Sequence, residues 1–90
     1  MSVGEEVRLY IRDRNLIMVA ADERSLDDLI RAIGARNDEV QELTDTGRVF
    51  TVANGTRARI VETGFGRLKV RIIEGDKIMS EGWIPELWVK

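Results

Sequence analysis

Both tryptophans and the only proline of this chain stand in Gly82-Trp83-Ile84-Pro85-Glu86-Leu87-Trp88-Val89. The chemistry such residues offer is recognition. Broad apolar rings with a polar edge, and a rigid imino acid beside them, contact another chain without reacting with it. A second set is cationic. Arg57 and Arg59 alternate along one stretch, and Arg67, Lys69 and Arg71 along the next. If the two stretches pair, five cations line one sheet face, a surface able to contact phosphates without reading a base sequence.

Catalysis finds less to work with. The chain has no Cys and no His, which removes thiolate chemistry and the usual general base near neutral pH. Ser2, Ser25 and Ser80 therefore have no histidine to activate them. Asp45-Thr46-Gly47 has the composition of an aspartic-protease triplet. That chemistry needs an apolar strand before the aspartate and a second carboxylate to share a proton. Gln41-Glu42-Leu43-Thr44 precedes it, and a helix ending at Gly47 explains the triplet. Asp27, Asp28, Asp38, Glu39 and Glu42 are spread along helix surface rather than gathered in a tight loop, so a solvated face is expected and not a hard-cation site. No enzyme activity, cofactor or metal is expected.

The elements that must position these residues follow from pattern. Ninety residues make one domain, 1–90, with 43% hydrophobic and 33% charged side chains. Val7 to Arg12 alternates as a half-buried strand, Arg14-Asn15 turns, and Leu16 to Ala20 is a second strand. Leu26, Leu29, Ile30 and Ile33 then recur at helical spacing, with Ser25 as the expected N-cap and Gly34 as the expected stop. Asn37 is read as a second cap, opening a shorter helix that ends at Gly47, so the helical region spans about 23–46. Val49 to Val52 is a strand. Asn54-Gly55 predicts a hairpin into a strand over 56–62. Gly64-Phe65-Gly66 predicts a second hairpin into 67–73, a turn follows at 74–77, and the aromatic stretch closes the chain. Short strands at regular spacing predict a small antiparallel barrel with a helical insertion.

Charge divides along the chain. Residues 21–46 hold eight acidic and three basic side chains, whereas residues 47–90 hold eight basic and five acidic ones. The basic face is thus expected either to stay solvated or to pair with the acidic helical segment. The longest apolar run, Leu16 to Ala21, is far below the ~20 residues that span a bilayer, and no signal peptide is read, so a cytoplasmic address is the expectation.

Gly82-Trp83-Ile84-Pro85, two variable residues and Trp88-Val89 resemble the closing signature of Src-homology-3-like barrels. Gly47-Arg48-Val49-Phe50, Asn54-Gly55-Thr56 and Lys69-Val70-Arg71-Ile72 look like a bacterial branch of such domains with a helical insertion before the strand at 49. The resemblance implies a groove in which Pro85 and Trp88, with Tyr10, contact a proline-rich peptide. No acidic, aromatic-rich loop follows Tyr10, and Lys69-Val70 stand where the family places a tryptophan. The leading expectation is a non-catalytic protein or peptide binding module with contact residues among Tyr10, Trp83, Pro85 and Trp88. Trp83 is the better suited to covering one end of the core, whereas Trp88 suits core packing and partner contact equally. The alternatives are nucleic-acid or polyanion binding through Arg57, Arg59, Arg67, Lys69 and Arg71, and a structural or homo-oligomeric subunit.

Overall fold

A computed structural model describes residues 1–35 and 38–90. In chain order the elements are β1 (Glu6–Arg8), β2 (Leu16–Ala20), α1 (Glu23–Ala35), α2 (Glu39–Asp45), β3 (Val49–Ala53), β4 (Arg57–Thr63), β5 (Arg67–Ile72), β6 (Glu81–Pro85) and a 3₁₀ turn, Glu86–Trp88. The six strands form one antiparallel sheet in the order β1-β4-β5-β6-β2-β3. Over the described residues the protein is thus mainly β with two helices, and the helices fall within the expected 23–46 region.

β4, β5 and β6 form a meander. Gly64 N–H donates to the Arg67 carbonyl at 2.9 Å, closing the expected turn through Gly64-Phe65-Gly66. The other expected hairpin does not exist. Gly55 does adopt a positive φ of 89°, but β3 pairs only with β2, and β4 lies at the opposite side of the sheet beside β1. Asn54 is used as a tie instead. Its Nδ2 donates to the carbonyls of Ile11 and Arg14, both at 2.6 Å, and Gly55 N–H donates to the Leu9 carbonyl at 2.7 Å. The chain therefore leaves β1 and re-enters β4 at nearly one point. Between these points lie β2, both helices and β3.

Alternation feeds two cores. Val7, Leu9, Ile17, Val19, Val52, Ala58, Ile60, Leu68, Val70, Ile72 and Ile84 make the larger one. Ala20, Leu26, Leu29, Ala32, Leu43, Val49 and Trp83 make the second, between the helices and the other face of the sheet. Gly82 sits where β6 crosses β2. A Cβ there would lie 2.5 Å from the Ala20 carbonyl oxygen and 2.6 Å from Val19 Cγ1, so only glycine permits the close approach.

α1 is turned from its expected orientation. Its buried residues are Ser25, Leu26, Leu29 and Ala32, whereas Ile30 and Ile33 are 45% and 37% exposed. The cap is Asp22, whose Oδ1 accepts from Ser25 N–H at 2.7 Å. Ser25, three residues further on, is drawn inward, where its hydroxyl accepts from Arg48 Nε at 3.0 Å. Small Ser25 and Ala32 allow the helix to approach the sheet closely, and the larger isoleucines are left outside. The helix also runs through Gly34 to Ala35, so Gly34 does not stop it. The expected cap at Asn37 lies outside the described residues. α2 ends as expected, with Gly47 at a φ of 78°.

The last residues return to the start. Lys90 N–H donates to the Arg8 carbonyl at 2.9 Å, Tyr10 N–H to the Trp88 carbonyl at 2.8 Å, and Leu9 bridges Val89. Among the described residues no helix is long and apolar enough to cross a membrane.

Candidate functional site: a groove beside Trp88

The four contact candidates, Tyr10, Trp83, Pro85 and Trp88, part company in the structure. Trp83 is 7% exposed and belongs to the second core, so it is covered rather than available for contact. Pro85 ends β6 opposite Arg67 and starts the 3₁₀ turn, whose Glu86 N–H donates to the Gly66 carbonyl at 3.0 Å. Tyr10 is exposed at its edge, with the Lys90 ammonium 4.6 Å from its ring centre. Trp88 is half-buried and packs against both cores at once.

One side of Trp88 faces a groove of about 770 Å³. Ile11 and Arg14 line it from the loop after β1, Leu16 and Met18 from β2, Ala32 and Ile33 from α1, and Val40 from α2. The groove exists because the helices cover only one end of the β2–β3 pair. Ala20 and Val49 are buried under them, whereas Leu16 at the other end is 56% exposed. Of the described lining residues Arg14 alone is charged. Pro85 and Tyr10 are not part of the wall. A cleft of mostly apolar side chains mixed with polar surface and, among the described residues, one cation suits noncovalent contact with an apolar group beside a polar one. Sequence pattern missed most of these residues, although one signal was present. α1 carries more large apolar residues than a single stripe can bury, and the surplus, Ile30 and Ile33, had to emerge somewhere.

The five cations do come together on β4 and β5, with Arg59 opposite Arg71. A register shift between Ile60 and Glu62 then sets Glu62 opposite Lys69, which places a carboxylate within the basic face. The cations are also engaged within the chain. Arg67 contacts Asp27 at 2.7 Å and Glu23 at 3.9 Å, on α1. Glu81 receives Arg71 at 2.6 Å and Lys69 at 3.8 Å. Arg57 bonds Glu74 at 3.1 Å, with Glu6 at 3.7 Å, and Arg59 donates to the Gly4 carbonyl at 3.1 Å. The Glu74 carboxyl is held below its ordinary range by the Arg57 backbone N–H and then by the Arg57 guanidinium.

A polar joint without a signal in the sequence fastens α1 to the residue that precedes β3. Arg48 reaches Asp28 through Nη2 and Ser25 through Nε, while Arg31 bonds the other Asp28 oxygen at 2.8 Å. The Arg48 hydrogen bond is the main cause holding the Asp28 carboxyl below its usual range, with the Arg48 and Arg31 charges adding to it. Asp22 is lowered too, first by the Ser25 N–H and then by its hydroxyl. Asp28 thus belongs to a structural clamp rather than to a solvated face. No protein-family model, curated protein or solved structure matches this chain.

Proposed function

We propose that the chain is a small Src-homology-3-like barrel acting without catalysis, in the cytoplasm, as a binding module for a protein segment with an apolar anchor. What supports a barrel is the circuit of hydrogen bonds. β1 meets β4, β4 meets β5, β5 meets β6, and the residues after the 3₁₀ turn come back to β1 through Leu9 and Val89. On this reading β2, β3 and the helices are one long insertion between the first two barrel strands.

The observation that carries the binding reading is the groove beside Trp88, walled by Leu16, Met18, Ile33 and Val40. The occupant it favours is an apolar side chain flanked by a carboxylate, because among the described residues Arg14 is the charge at its margin. The contact patch therefore centres on Trp88 and Ile33 rather than on Pro85 and Tyr10. Polyanion binding is the weaker alternative, since phosphates would have to displace Asp27, Glu74 and Glu81 from the arginines.

Selection from a displayed random-peptide library tests the proposal. Binders are expected to share an apolar anchor next to Asp or Glu. Ile33→Glu should weaken them at least about tenfold, the scale of losing one anchoring contact. Because Ile33 is only partly covered, its melting temperature should stay close to wild type. Selected peptides whose affinity ignores Ile33→Glu, or no selected peptide at all, would refute the groove as the site.

A further inference from the structure

Asn54-Gly55 makes no hairpin, and it carries chemistry of its own. An asparagine before glycine is open to attack by its own chain, because glycine sets no side chain in the way of its backbone nitrogen. The Gly55 nitrogen bonds to the Asn54 side-chain carbon, and the amide proton leaves with the side-chain nitrogen as ammonia. Water then opens the resulting succinimide at either carbonyl, giving aspartate or isoaspartate. One water is consumed, one ammonia is released, and no oxidant or reductant is needed.

The fold restrains every group in that reaction. Gly55 N–H, the nucleophile, donates to the Leu9 carbonyl at 2.7 Å, and Arg8 Nη1 holds the Gly55 carbonyl at 2.9 Å. The leaving nitrogen is held too, since Asn54 Nδ2 donates to the Ile11 and Arg14 carbonyls, both at 2.6 Å. Asn54 N–H is bonded to the Asn15 carbonyl at 2.9 Å. While these bonds stand, the Gly55 nitrogen neither loses its proton nor swings onto the carboxamide.

We propose that Asn54 is a latent self-modification site, sealed by the tie and exposed whenever the tie opens, and that its deamidation makes the opening permanent. The cradle accepts a donor and nothing else. Two carbonyl oxygens face Nδ2, and Asn54 Oδ1 is buried with no hydrogen-bond partner among the described residues. An aspartate side chain has only acceptors at neutral pH. One oxygen would meet the Ile11 and Arg14 carbonyls, and the charge would find no donor there. Isoaspartate would also lengthen the backbone by one carbon and carry Gly55 off the Leu9 carbonyl. Either product therefore frees the loop after β1 from the start of β4. Ile11 and Arg14, which wall the groove beside Trp88, lose their anchor with it. The proposal stands on the tie and is independent of what the groove binds.

Ageing the wild-type chain at mildly alkaline pH tests the seal. Peptide mapping by mass spectrometry scores aspartate and isoaspartate at position 54, in buffer and in urea above the unfolding midpoint. Conversion should be at least about tenfold slower in the folded chain, because it waits for a local opening. Urea below the midpoint should raise conversion and Gly55 amide exchange together. The latch is tested by substitution. Asn54→Ala removes the tie alone, whereas Asn54→Asp adds the misplaced charge. Asn54→Asp should therefore lower the urea midpoint further than Asn54→Ala does, and speed exchange of the Gly55 amide. Equal conversion in folded and unfolded chains overturns the seal, as does no conversion in either. Asn54→Asp as stable as wild type overturns the latch. If Asn54→Asp does not fold, the ageing comparison still decides the seal, and deamidated wild type separated by ion exchange decides the latch through its Gly55 exchange.

Discussion

The two cores are buried alike and differ in what borders them. The larger is built from Val, Leu and Ile with a single Ala, all from one face of the sheet, and its members are nearly all fully buried. The second contains two alanines and one large ring, Trp83, and its helical roof leaves Ile30, Ile33 and Leu16 in solvent. Alternation along paired strands fixes which side chains face inward. A helix lying on a sheet can rotate or slide, and here it stops short of the end of β2. The groove belongs to the loosely roofed half. Tight packing and unclaimed surface are thus segregated within one small domain.

The comparison is broken most severely from inside the larger core. Ile60→Ala removes a fully buried side chain and should cost about 2–5 kcal/mol of global stability, read from urea unfolding. Leu29→Ala, equally buried but in the second core, should act more locally. Amides of α1 and α2 should exchange faster while those of β4 and β5 keep their protection. Equal acceleration across both regions would show that the two cores open as one unit.

Next in size is the junction between the halves. Gly82→Ala forces a methyl against the Ala20 carbonyl and Val19, and overpacking of this kind costs about 1–3 kcal/mol. A lowered urea midpoint together with loosened β2 amides is the expected outcome. An unchanged midpoint would mean that β6 and β2 separate freely.

Acid should produce the smallest and most gradual effect. Asp22, Asp28 and Glu74 all have carboxyls lowered in the folded state relative to ordinary values of 3.8, 3.8 and 4.5. A lowered carboxyl contributes stability that is fully present above its unfolded value and disappears as pH falls through its folded one. Melting temperature should therefore hold steady at neutral pH and decline below about pH 4. Asp28→Asn should flatten part of that decline. Two of the three groups hold α1, so the helical half should loosen first.

Much of this layout was legible in sequence, and the failures have physical causes. The strand at Leu16–Ala20, the helical region and the turn at Gly64-Phe65-Gly66 were given by local period and by glycine. Asn54-Gly55 misled because a turn signal specifies backbone angles and not which strands meet afterwards. Here the Asn54 amide was committed to Ile11 and Arg14, far away in sequence. The α1 face misled because hydrophobic period ranks Ile30 and Ile33 above Ser25 and Ala32, while close approach ranks them the other way. At the site, Trp88 was named from its position in the closing signature. Met18 and Val40 carried no signal, since a groove is made by where elements stop. The basic face was correctly assembled, but carboxylates from Glu6, Asp27, Glu74 and Glu81 are brought to it only by the fold.

The tie at Asn54 has one more consequence. Because Ile11 and Asn54 are joined by a hydrogen bond, the whole excursion from residue 12 to residue 53 hangs from the sheet as a cassette with adjacent ends. Lengthening or replacing such an excursion changes the entropy of closing it only slowly with length. The cassette is not optional ballast, however, since Ile17, Val19 and Val52 plug the larger core from within it. Any sequence grafted between those two points must bring its own apolar plug. What it displays on the outside is then open to redesign.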